Sequence, residues 1–332
     1  TPANWDTPQT VTVTGVDDLT VDGTQTESIT VTVIDEISDN DFDAVADQTV
    51  SVAITDDDVA GFTVDQLDGS VEVDESGTTD TFTVVLDAQP TSDVVIALTS
   101  SDTGEATVNS PLTFTPANWD TPQTVTVTGA DDGSVVDGDQ TSLITISIED
   151  ANSNDSFDAV VDQTVSATTT DDDVAGFTVD QLDGSVEVDE SGTTDTFTVV
   201  LDAQPTSDVL LSLSINDNSE ASVSSSLTFT PINWDSPQTV TVTGLDEETV
   251  DGIQTSTVTI SVVDAVSNDS FDDVADQTVS VSTTDDDVAG FTVVEFGGST
   301  EVDESGTTDI FTVVLDAQPT SDVVLTVTSS DT

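Results

Sequence analysis

Residues 81–100 read TFTVVLDAQPTSDVVIALTS, and this stretch indicates the fold class of the chain. Phe82, Val84 and Leu86 alternate with Thr81 and Thr83. Alternation with a period of two is typical of a β-strand with one buried face. The AQPTSD segment that follows carries the proline, serine and aspartate typical of a turn. The stretch therefore predicts a strand and a turn, with a second strand after them.

The same period recurs along the chain. Val125 and Val127 alternate with threonines, as do Ile144, Ile146 and Ile148 with Thr145 and Ser147. Turn signals such as DESG separate these runs, and no helical pattern competes with them. About seven or eight short strands in a stretch of this size are typical of an antiparallel β-sandwich, so the chain is predicted to be all-β.

Long internal repeats organise the chain. The tryptophans stand at Trp5, Trp119 and Trp234 in near-copies of TPANWDTPQTVTVTG. DDDVAGFTV begins at residues 56, 171 and 285, and DESGTTD begins at residues 74, 189 and 303. A fixed long period indicates an array of similar units. The fold class predicted is therefore a linear array of tandem sandwiches.

The boundary between units is placed after each DDD. This predicts complete repeats at 59–173 and 174–287, the C-terminal part of a sandwich at 1–58, and the N-terminal part of another at 288–332. Three residues, Val174 to Gly176, separate Asp173 from Phe177, so no flexible linker joins the repeats. Two interpretations stay open: the chain is a window on a longer polymer, or identical subunits complete one another end to end.

The net charge sets the strongest constraint on which ions and partners the chain can bind. The chain has 68 Asp and Glu and no Lys, Arg or His, for a formal net charge of -68. Each carboxylate must therefore meet water, a hydrogen-bond donor or a dissolved cation. Ca²⁺ suits such a chain because it accepts six to eight oxygen ligands in flexible geometry. Without Cys or His, zinc, copper and iron lose their usual ligands.

The same charge excludes some partners. Nucleic-acid binding depends on Lys and Arg neutralising phosphates, and this chain has neither. Anionic membrane surfaces are excluded on the same ground. No apolar run approaches the roughly 18 residues of a membrane span, so no membrane insertion is expected from this segment.

Three recurring sequence motifs of this chain together resemble those of a known family. DDDVAGF, VDESG and the acidic turn GADDGSVVDGDQ at 129–140 look like those of the Calx-beta domain, which occurs in Na⁺/Ca²⁺ exchangers and in large bacterial surface proteins. The resemblance covers nearly the whole chain in repeats. It implies tandem immunoglobulin-like sandwiches that bind several Ca²⁺ ions at each repeat junction.

The resemblance also implies the ligands. In the second repeat (59–173) they are Glu75, Asp102, Asp131, Asp132, Asp137, Asp171, Asp172 and Asp173. In the third repeat (174–287) they are Glu190, Asp217, Asp246, Asp251, Asp285, Asp286 and Asp287. The matching positions of the partial repeats are Asp17, Asp18, Asp22, Asp56, Asp57, Asp58, Glu304 and Asp331. The loop after Asp102 looks shorter than in the family, so Glu105 competes with Asp102 as the candidate ligand. Glu247 and Glu248 also depart from the family pattern.

Other acidic residues admit simpler explanations. Aspartate favours turns, which accounts for Asp93 but poorly for three adjacent carboxylates. NDSFD at 154–158 and 268–272 either holds another ion or forms a turn with Phe157 in the core, and the turn is favoured. Asn154 and Asn268 each begin a short glycosylation sequon, which makes glycan modification a candidate.

These features predict a structural protein. General bases such as His and Lys are absent and no Ser has a His to activate it, so we expect no enzyme activity. We expect an extracellular or cell-surface segment of a bacterial fibre or adhesin stalk, stiffened by Ca²⁺ and joined to neighbouring repeats or identical subunits. Two alternatives stay open: a Ca²⁺-sensing regulatory module, and a halophilic surface-layer protein whose acidity serves solubility.

Overall fold

A computed structural model describes residues 1–67 and 69–330 of the chain, which form two compact units. The first comprises residues 1–132 and 139–172, and the second comprises residues 133–138 and 173–332. Helix in the described residues is limited to six one-turn 3-10 segments: Asp35–Ile37, Asn40–Phe42, Asp150–Asn152, Asp155–Phe157, Asp264–Val266 and Asp269–Phe271. No helix in the described part of the chain has the length and apolar character needed to cross a membrane.

The first unit contains a hairpin and one sandwich. Its strands are β1 (Gln25–Val31), β2 (Gln48–Ile54), β3 (Phe62–Asp65), β4 (Val71–Asp74), β5 (Thr79–Leu86), β6 (Val94–Ser100), β7 (Ala106–Val108), β8 (Leu112–Phe114), β9 (Gln123–Gly129), β11 (Gln140–Ile148) and β12 (Gln163–Thr170). Between β9 and β11 lies β10 (Val135–Val136), which belongs to the second unit. One sheet has the order β3-β5-β9-β7 and the other β4-β12-β11-β6-β8, while β1 pairs with β2.

The second unit repeats this sandwich. Its further strands are β13 (Phe177–Asp180), β14 (Val186–Asp189), β15 (Thr194–Leu201), β16 (Gln204–Pro205), β17 (Val209–Ile215), β18 (Ala221–Val223), β19 (Leu227–Phe229), β20 (Gln238–Gly244), β21 (Thr249–Val250), β22 (Gln254–Val262), β23 (Gln277–Thr284), β24 (Phe291–Glu295), β25 (Phe311–Leu315) and β26 (Gln318–Pro319). The two large sheets have the orders β13-β15-β20-β18 and β14-β23-β22-β17-β19. Two-stranded pairs join β10 to β16, β21 to β26 and β24 to β25.

Each sandwich closes over an apolar core. In the first unit Phe82 and Val125 from one sheet and Ile96 and Ile144 from the other are wholly buried in a single cluster. Burying a side chain of this kind contributes roughly 1.5–3 kcal/mol, so the alternating pattern of the sequence drives the two sheets together. The prediction of an all-β chain of tandem immunoglobulin-like sandwiches is confirmed.

One edge strand of each sandwich is parallel, which the sequence did not indicate. Pairing among the large sheets is antiparallel except where β4 meets β12 and β14 meets β23. Since parallel strands run in the same direction, their carboxyl ends lie at the same edge of the sheet. Asp74 pairs with Thr170 and Asp189 with Thr284, so the residues that follow each pair emerge together.

A glycine lets the other sheet approach this edge. A Cβ atom on Gly244 would lie 2.2 Å from the carbonyl oxygen of Asp189, and one on Gly129 would lie 2.1 Å from that of Asp74. Real Cβ atoms do not come this close to backbone. Glycine at the end of β20 and of β9 therefore permits the close packing that holds the turn after β14 and β4.

The NDSFD segments form turns over the core. Phe157 and Phe271 are wholly buried, and Asn154 accepts a hydrogen bond from the Ser156 amide at 3.0 Å. The Nδ2 atom of Asn154 donates to the hydroxyls of Thr91 and Ser92 at 2.6 and 3.0 Å. The turn interpretation of this motif is confirmed. Glycosylation at Asn154 stays a prediction, and in the folded chain it must compete with these hydrogen bonds.

Candidate metal centre

Glu190 is the central residue of the acidic cluster in the third repeat. It follows β14, its amide donates to the carbonyl of Thr284 at 3.1 Å, and its side chain is wholly buried. Because β14 and β23 are parallel, Glu190 emerges beside Asp285, the first residue after β23. One oxygen from each of Glu190, Asp285 and Asp287 lies within 4.8 Å of the other two.

A second group shares Glu190. Oxygen atoms of Glu190, Glu220 and Glu247 also lie within 4.8 Å of one another. Glu220 immediately precedes β18, and its carbonyl accepts from the Leu245 amide at 2.9 Å. Pairing of Ala221 with Gly244 therefore brings Glu220 to the edge that Glu190 occupies. Five carboxylates from four separate chain segments surround this point.

Asp285 also shapes the loop around the cluster. Its carboxylate accepts backbone hydrogen bonds from Asp251, Gly252 and Asp287 at 2.9, 2.7 and 2.8 Å. Gly252 has a φ of 78°, a conformation that favours glycine. These bonds, that from Gly252 first, hold the pKa of Asp285 below its usual value. A carboxylate oxygen with one such bond still has a lone pair for a cation.

Glu190 is the least satisfied group in the cluster. Neither carboxylate oxygen accepts a hydrogen bond of normal geometry. Burial first, and then the charge of Asp285, raise the pKa of Glu190 to about 7, while the backbone N–H of Asp286 offsets part of the rise. Burial is also the first cause that raises the pKa values of Glu220 and Asp287. The site disfavours negative charge while being built almost wholly from carboxylates.

Three neighbours of Glu190 also have a buried oxygen without a hydrogen-bond partner: Glu220 Oε2, Glu247 Oε1 and Asp287 Oδ2. Two like charges about 4.8 Å apart repel by about 3 kcal/mol at an effective dielectric near 20. The chain has no cationic side chain to offset this repulsion. A cation from solution is the compensation that remains.

The spacing of the oxygens fits Ca²⁺. Ca²⁺–oxygen distances are about 2.3–2.6 Å, so two ligands on opposite sides of one ion lie about 5 Å apart. Oxygens within 4.8 Å of one another can therefore share an ion. Mg²⁺ demands shorter bonds in a near-octahedral arrangement and usually keeps several waters, so it suits a cluster of five carboxylates less well.

The second repeat has a related cluster. Glu75 is nearly wholly buried, and one of its oxygens lies within 4.8 Å of one oxygen from Glu105 and one from Asp132. Burial first, and then the charges of Asp132 and Asp171, raise the pKa of Glu75 to about 7. Asp137 and Asp173 belong to the second unit. The repeated feature is thus a buried glutamate after the parallel edge strand.

The structure brings together only part of the predicted ligand set, and ion binding by these residues stays a prediction. In each DDD of the complete repeats the first and third aspartates are half-buried, whereas Asp172 and Asp286 are exposed. Asp131 and Asp246 are exposed as well and lie outside the groups. Asp102 and Asp217 bond to their own turns: Asp102 accepts from the Gly104 amide at 2.9 Å and Asp217 from the Ser219 hydroxyl at 2.6 Å.

Sequence reasoning did not identify Glu220, named Glu105 only as a competitor of Asp102, and noted Glu247 only as a departure from the family. A signal for the first two exists: both glutamates stand directly before Ala-Thr-Val or Ala-Ser-Val, where the alanine is buried. That pattern places each glutamate directly before a short strand, β7 or β18.

The partial repeats hold isolated pieces of the cluster. Asp17, Asp18, Asp22, Asp56, Asp57 and Asp58 line an open acidic cleft. Asp56 accepts from the amides of Asp22, Gly23 and Asp58 at 2.9, 2.7 and 2.9 Å, which reproduces the loop at Asp285. Glu304 is exposed in a turn, and Asp331 lies outside the described residues.

Comparisons with known proteins add little to this geometry. No protein-family profile matches the chain, and no curated protein sequence matches it. The chain is similar to the solved structure of CBD12 from CALX1.2, with 16% identity, 61% of this chain and 79% of that chain covered, and a TM-score of 0.25. It is also similar to domains 4 and 5 of the S-layer protein SbsC, with 16% identity, 57% and 76% covered, and a TM-score of 0.28. Similarities this weak carry no argument about the site.

Replacing Glu190 by Gln should change stability in opposite directions with and without Ca²⁺. In excess chelator the substitution removes a buried, unpaired charge, so the melting temperature of the third repeat should rise. In saturating Ca²⁺ it removes a ligand, so the stabilisation by Ca²⁺ should shrink. Calorimetric melting in the two conditions checks this, with exposed Glu187→Gln as the control; a change of the same sign in both would contradict the assignment.

Stability without metal should fall between about pH 4.5 and pH 7. Folding raises the pKa values of Glu75 and Glu190 to about 7 from 4.5, so the folded state binds more protons than the unfolded state in this window. The free energy of unfolding should therefore decrease as pH rises through it. Denaturant titrations in chelator check this decrease, which the Glu75→Gln, Glu190→Gln double variant should reduce. A decrease of undiminished size in that variant would count against the two glutamates.

Proposed function

We propose that this chain is a calcium-binding structural repeat protein whose sandwiches each use a buried glutamate to hold Ca²⁺. The observation that carries the proposal is Glu190, which is wholly buried with neither carboxylate oxygen hydrogen-bonded. It lies among Asp285, Asp287, Glu220 and Glu247 in a chain without cationic side chains. Leaving an uncompensated charge in such a place is strongly destabilising, and a bound cation removes that cost.

The donor set favours a hard cation. Every candidate ligand is a carboxylate, and the chain contains no Cys or His. Carboxylates suit Ca²⁺, Mg²⁺ and Mn²⁺, whereas thiolate and imidazole ligands select softer metals. Extracellular Ca²⁺ modules bind in the range of about 10⁻⁴–10⁻³ M, so such a site is filled outside a cell. An extracellular or cell-surface location is therefore part of the proposal.

Repetition of the cluster favours a structural role. Glu75 in the second repeat has the same place after the parallel edge strand, the same burial and the same shift in pKa as Glu190. A cation at each site would tie the turn after the edge strand to the segment after the last strand of that sandwich. The chain offers no His, Lys or Cys for general-base or nucleophilic chemistry, and we propose no catalytic activity.

The sequence between the sandwiches supports an array as the working form. Val174, Ala175 and Gly176 are the whole connection from Asp173 to the first residue of β13. A connection this short cannot behave as a flexible coil. We propose that Ca²⁺ at the DDD end of each repeat stiffens such an array, as a segment of a fibre or of an adhesin stalk requires.

The decisive experiment is calorimetric titration with Ca²⁺. A variant with Glu190→Gln, Glu220→Gln and Asp287→Asn should bind fewer ions per chain than the unmodified protein and gain less in melting temperature from Ca²⁺. Asp285 is left unchanged because it shapes the loop. The control carries Asp180→Asn, Asp183→Asn and Asp235→Asn, which remove the same charge from exposed positions of the same unit.

The control should bind and melt as the unmodified protein does, and Mg²⁺ should stabilise less than Ca²⁺. Equal loss of Ca²⁺ binding in both variants would indicate that diffuse charge, rather than this site, attracts the ion. That result would support acidity as a device for solubility and would overturn the proposal.

The stiffening role predicts a change in solution scattering. In Ca²⁺ the small-angle X-ray profile should be described by a single rigid shape. After chelation it should require an ensemble with a broader spread of radii of gyration, because like charges at the end of each repeat then repel. A variant with Glu75→Gln, Glu105→Gln and Asp132→Asn, which removes the cluster of the repeat that ends at Asp173, should resemble the chelated protein even in Ca²⁺. Identical profiles with and without Ca²⁺ would contradict the stiffening role.

A further inference from the structure

The tip of the acidic turn at 129–140 belongs to a different unit from the rest of its repeat. Residues 133–138 are part of the second unit, whereas the residues on both sides are part of the first. Within the second unit, β10 at this tip pairs in parallel with β16, which lies in the turn Asp-Ala-Gln-Pro at 202–205, the DAQP turn. The Gln204 amide donates a hydrogen bond to the carbonyl of Ser134 at 2.5 Å. A segment of one repeat is thus held by the repeat that follows it.

The same contact occurs at the two counterparts of this acidic turn. In the first unit the Gln89 amide donates to the carbonyl of Leu19 at 2.7 Å, and the Val21 amide donates to the carbonyl of Gln89 at 2.9 Å. In the second unit the Gln318 amide donates to the carbonyl of Glu248 at 2.7 Å, where β21 pairs with β26. Each contact lies within a single unit. Pairing of the tip with a DAQP turn is therefore a regular feature of the repeat.

A valine anchors each tip. Val136 is 6% exposed, and it shares a groove with Val274 of the following repeat. Val21 is 9% exposed, and it belongs to the apolar core cluster of the repeat at 59–173. Val250, at the third tip, is half-buried. Removal of these side chains from water favours the contact between the tip and the following repeat.

The contact depends on the main chain and on the valine rather than on the other side chains of the tip. The two residues before the valine are Leu-Thr, Ser-Val and Glu-Thr in the three tips. Main-chain atoms make the hydrogen bonds described above, so this variation leaves them intact. The valine is the same in all three tips. One kind of docking site therefore accepts tips of different sequence.

The DAQP turn is held in place by its own repeat. The Asp202 amide donates to the carbonyl of Gly176 at 2.9 Å, and the Thr178 hydroxyl donates to the Asp202 carboxylate at 2.7 Å. A Cβ atom on Gly176 would lie 2.6 Å from Oδ2 of Asp202, so this carboxylate lies directly over the glycine. The side-chain amide of Gln204 donates to the carbonyl of Pro231 at 3.1 Å. These bonds fix the turn that receives the tip.

The contact does not depend on charge. Asp132 and Asp137 flank the tip, but residues 133–136 include no carboxylate. The hydrogen bond from Gln204 joins two main-chain atoms, and the anchor at Val136 is an apolar side chain. Neither interaction requires a neighbouring carboxylate to be neutralised. A change in the metal content of the solution should therefore leave the docked tip in place.

We infer that the DAQP turn of each repeat is a docking site for the tip of the preceding acidic turn, and that docking needs no bound metal ion. The partner it fits is a short main-chain segment that ends in valine. The tip moves with the following repeat, as the grouping of residues 133–138 with the second unit supports. The loosening expected on chelation then lies on either side of the tip. That last point rests on the proposed function, whereas the docking itself does not.

A cysteine pair tests the docking, since the chain has no Cys of its own. Val135 pairs with Gln204, and paired strands lie about 4.8 Å apart, a separation that a disulfide can span. On oxidation, Val135→Cys with Gln204→Cys should form an intramolecular disulfide in Ca²⁺ and in excess chelator alike. Val135→Cys with Ser191→Cys should not, because the length of β15 separates Ser191 from Gln204.

Mass spectrometry of the digested chain identifies the cross-linked peptides. Equal cross-linking of the two cysteine pairs would overturn the inference. So would cross-linking of the first pair in Ca²⁺ alone, or no cross-linking of that pair in either condition.

Val136→Ser tests the anchor in the chain that carries the first cysteine pair. The substitution should slow disulfide formation about tenfold or more, because burial of the valine favours docking. Val161→Ser, at a position 80% exposed in the same repeat, should cross-link at the unmodified rate. Equal rates in the two variants would overturn the anchoring role of the valine. Neither substitution removes a carboxylate, so calorimetric titration should give an unchanged number of bound Ca²⁺ ions.

The docking site and the calcium proposal fail separately. Cross-linking that is the same in Ca²⁺ and in chelator, in a chain that binds no Ca²⁺, would support the docking site and overturn the calcium site. Ca²⁺ binding combined with cross-linking that disappears in chelator would support the calcium site and overturn the metal-independent docking.

Discussion

A buried carboxylate in a chain that has no positive side chain is the interaction on which the rest of this structure depends. Glu190 is held at the end of a sandwich by strand pairing, so it cannot move to water without opening the edge of the sheet. Its repulsion from Asp285 and its own desolvation both act against the folded state. The apolar core must offset these costs when no cation is present, because nothing else in the sequence carries the opposite charge.

The contacts that pack the two sheets together also position the acidic side chains at the end of the sandwich. Gly244 closes the sandwich by touching the backbone of Asp189, and Asp189 directly precedes Glu190. Pairing of Ala221 with Gly244 sets the position of Glu220 in the same place. A disturbance of the sheet contact would therefore move the candidate ligands, and a cation held by the ligands would in turn resist separation of the sheets. Folding and ion binding should be strongly coupled for this reason.

The partial repeats show which features form from nearby residues and which depend on distant strand partners. The loop at Asp56 has the same backbone hydrogen-bond distances as the loop at Asp285, with Asp22 and Gly23 as the donors in place of Asp251 and Gly252. That loop forms beside the hairpin of β1 and β2, with a further backbone bond from the Val21 amide to the carbonyl of Gln89 at 2.9 Å. QTVTVTG at 9–15 behaves differently, because its strand conformation depends on a partner from the other half of the repeat. Intrinsic preference for strand is thus not enough to form one.

The sequence by itself determined the strands of the two complete repeats, the repeat itself and the acidic character of the site. Period-two alternation placed Phe82 and Ile144 on core-facing positions, and the recurring DDD located Asp285 and Asp287 at one edge. Only the tertiary structure decided which carboxylates meet. It gathered Glu220 and left Asp217 bonded to its own turn, although both stand in one short acidic loop. The physical reason is that convergence depends on the parallel pairing of β14 with β23 and of Ala221 with Gly244, contacts between residues far apart in the chain that no local pattern encodes.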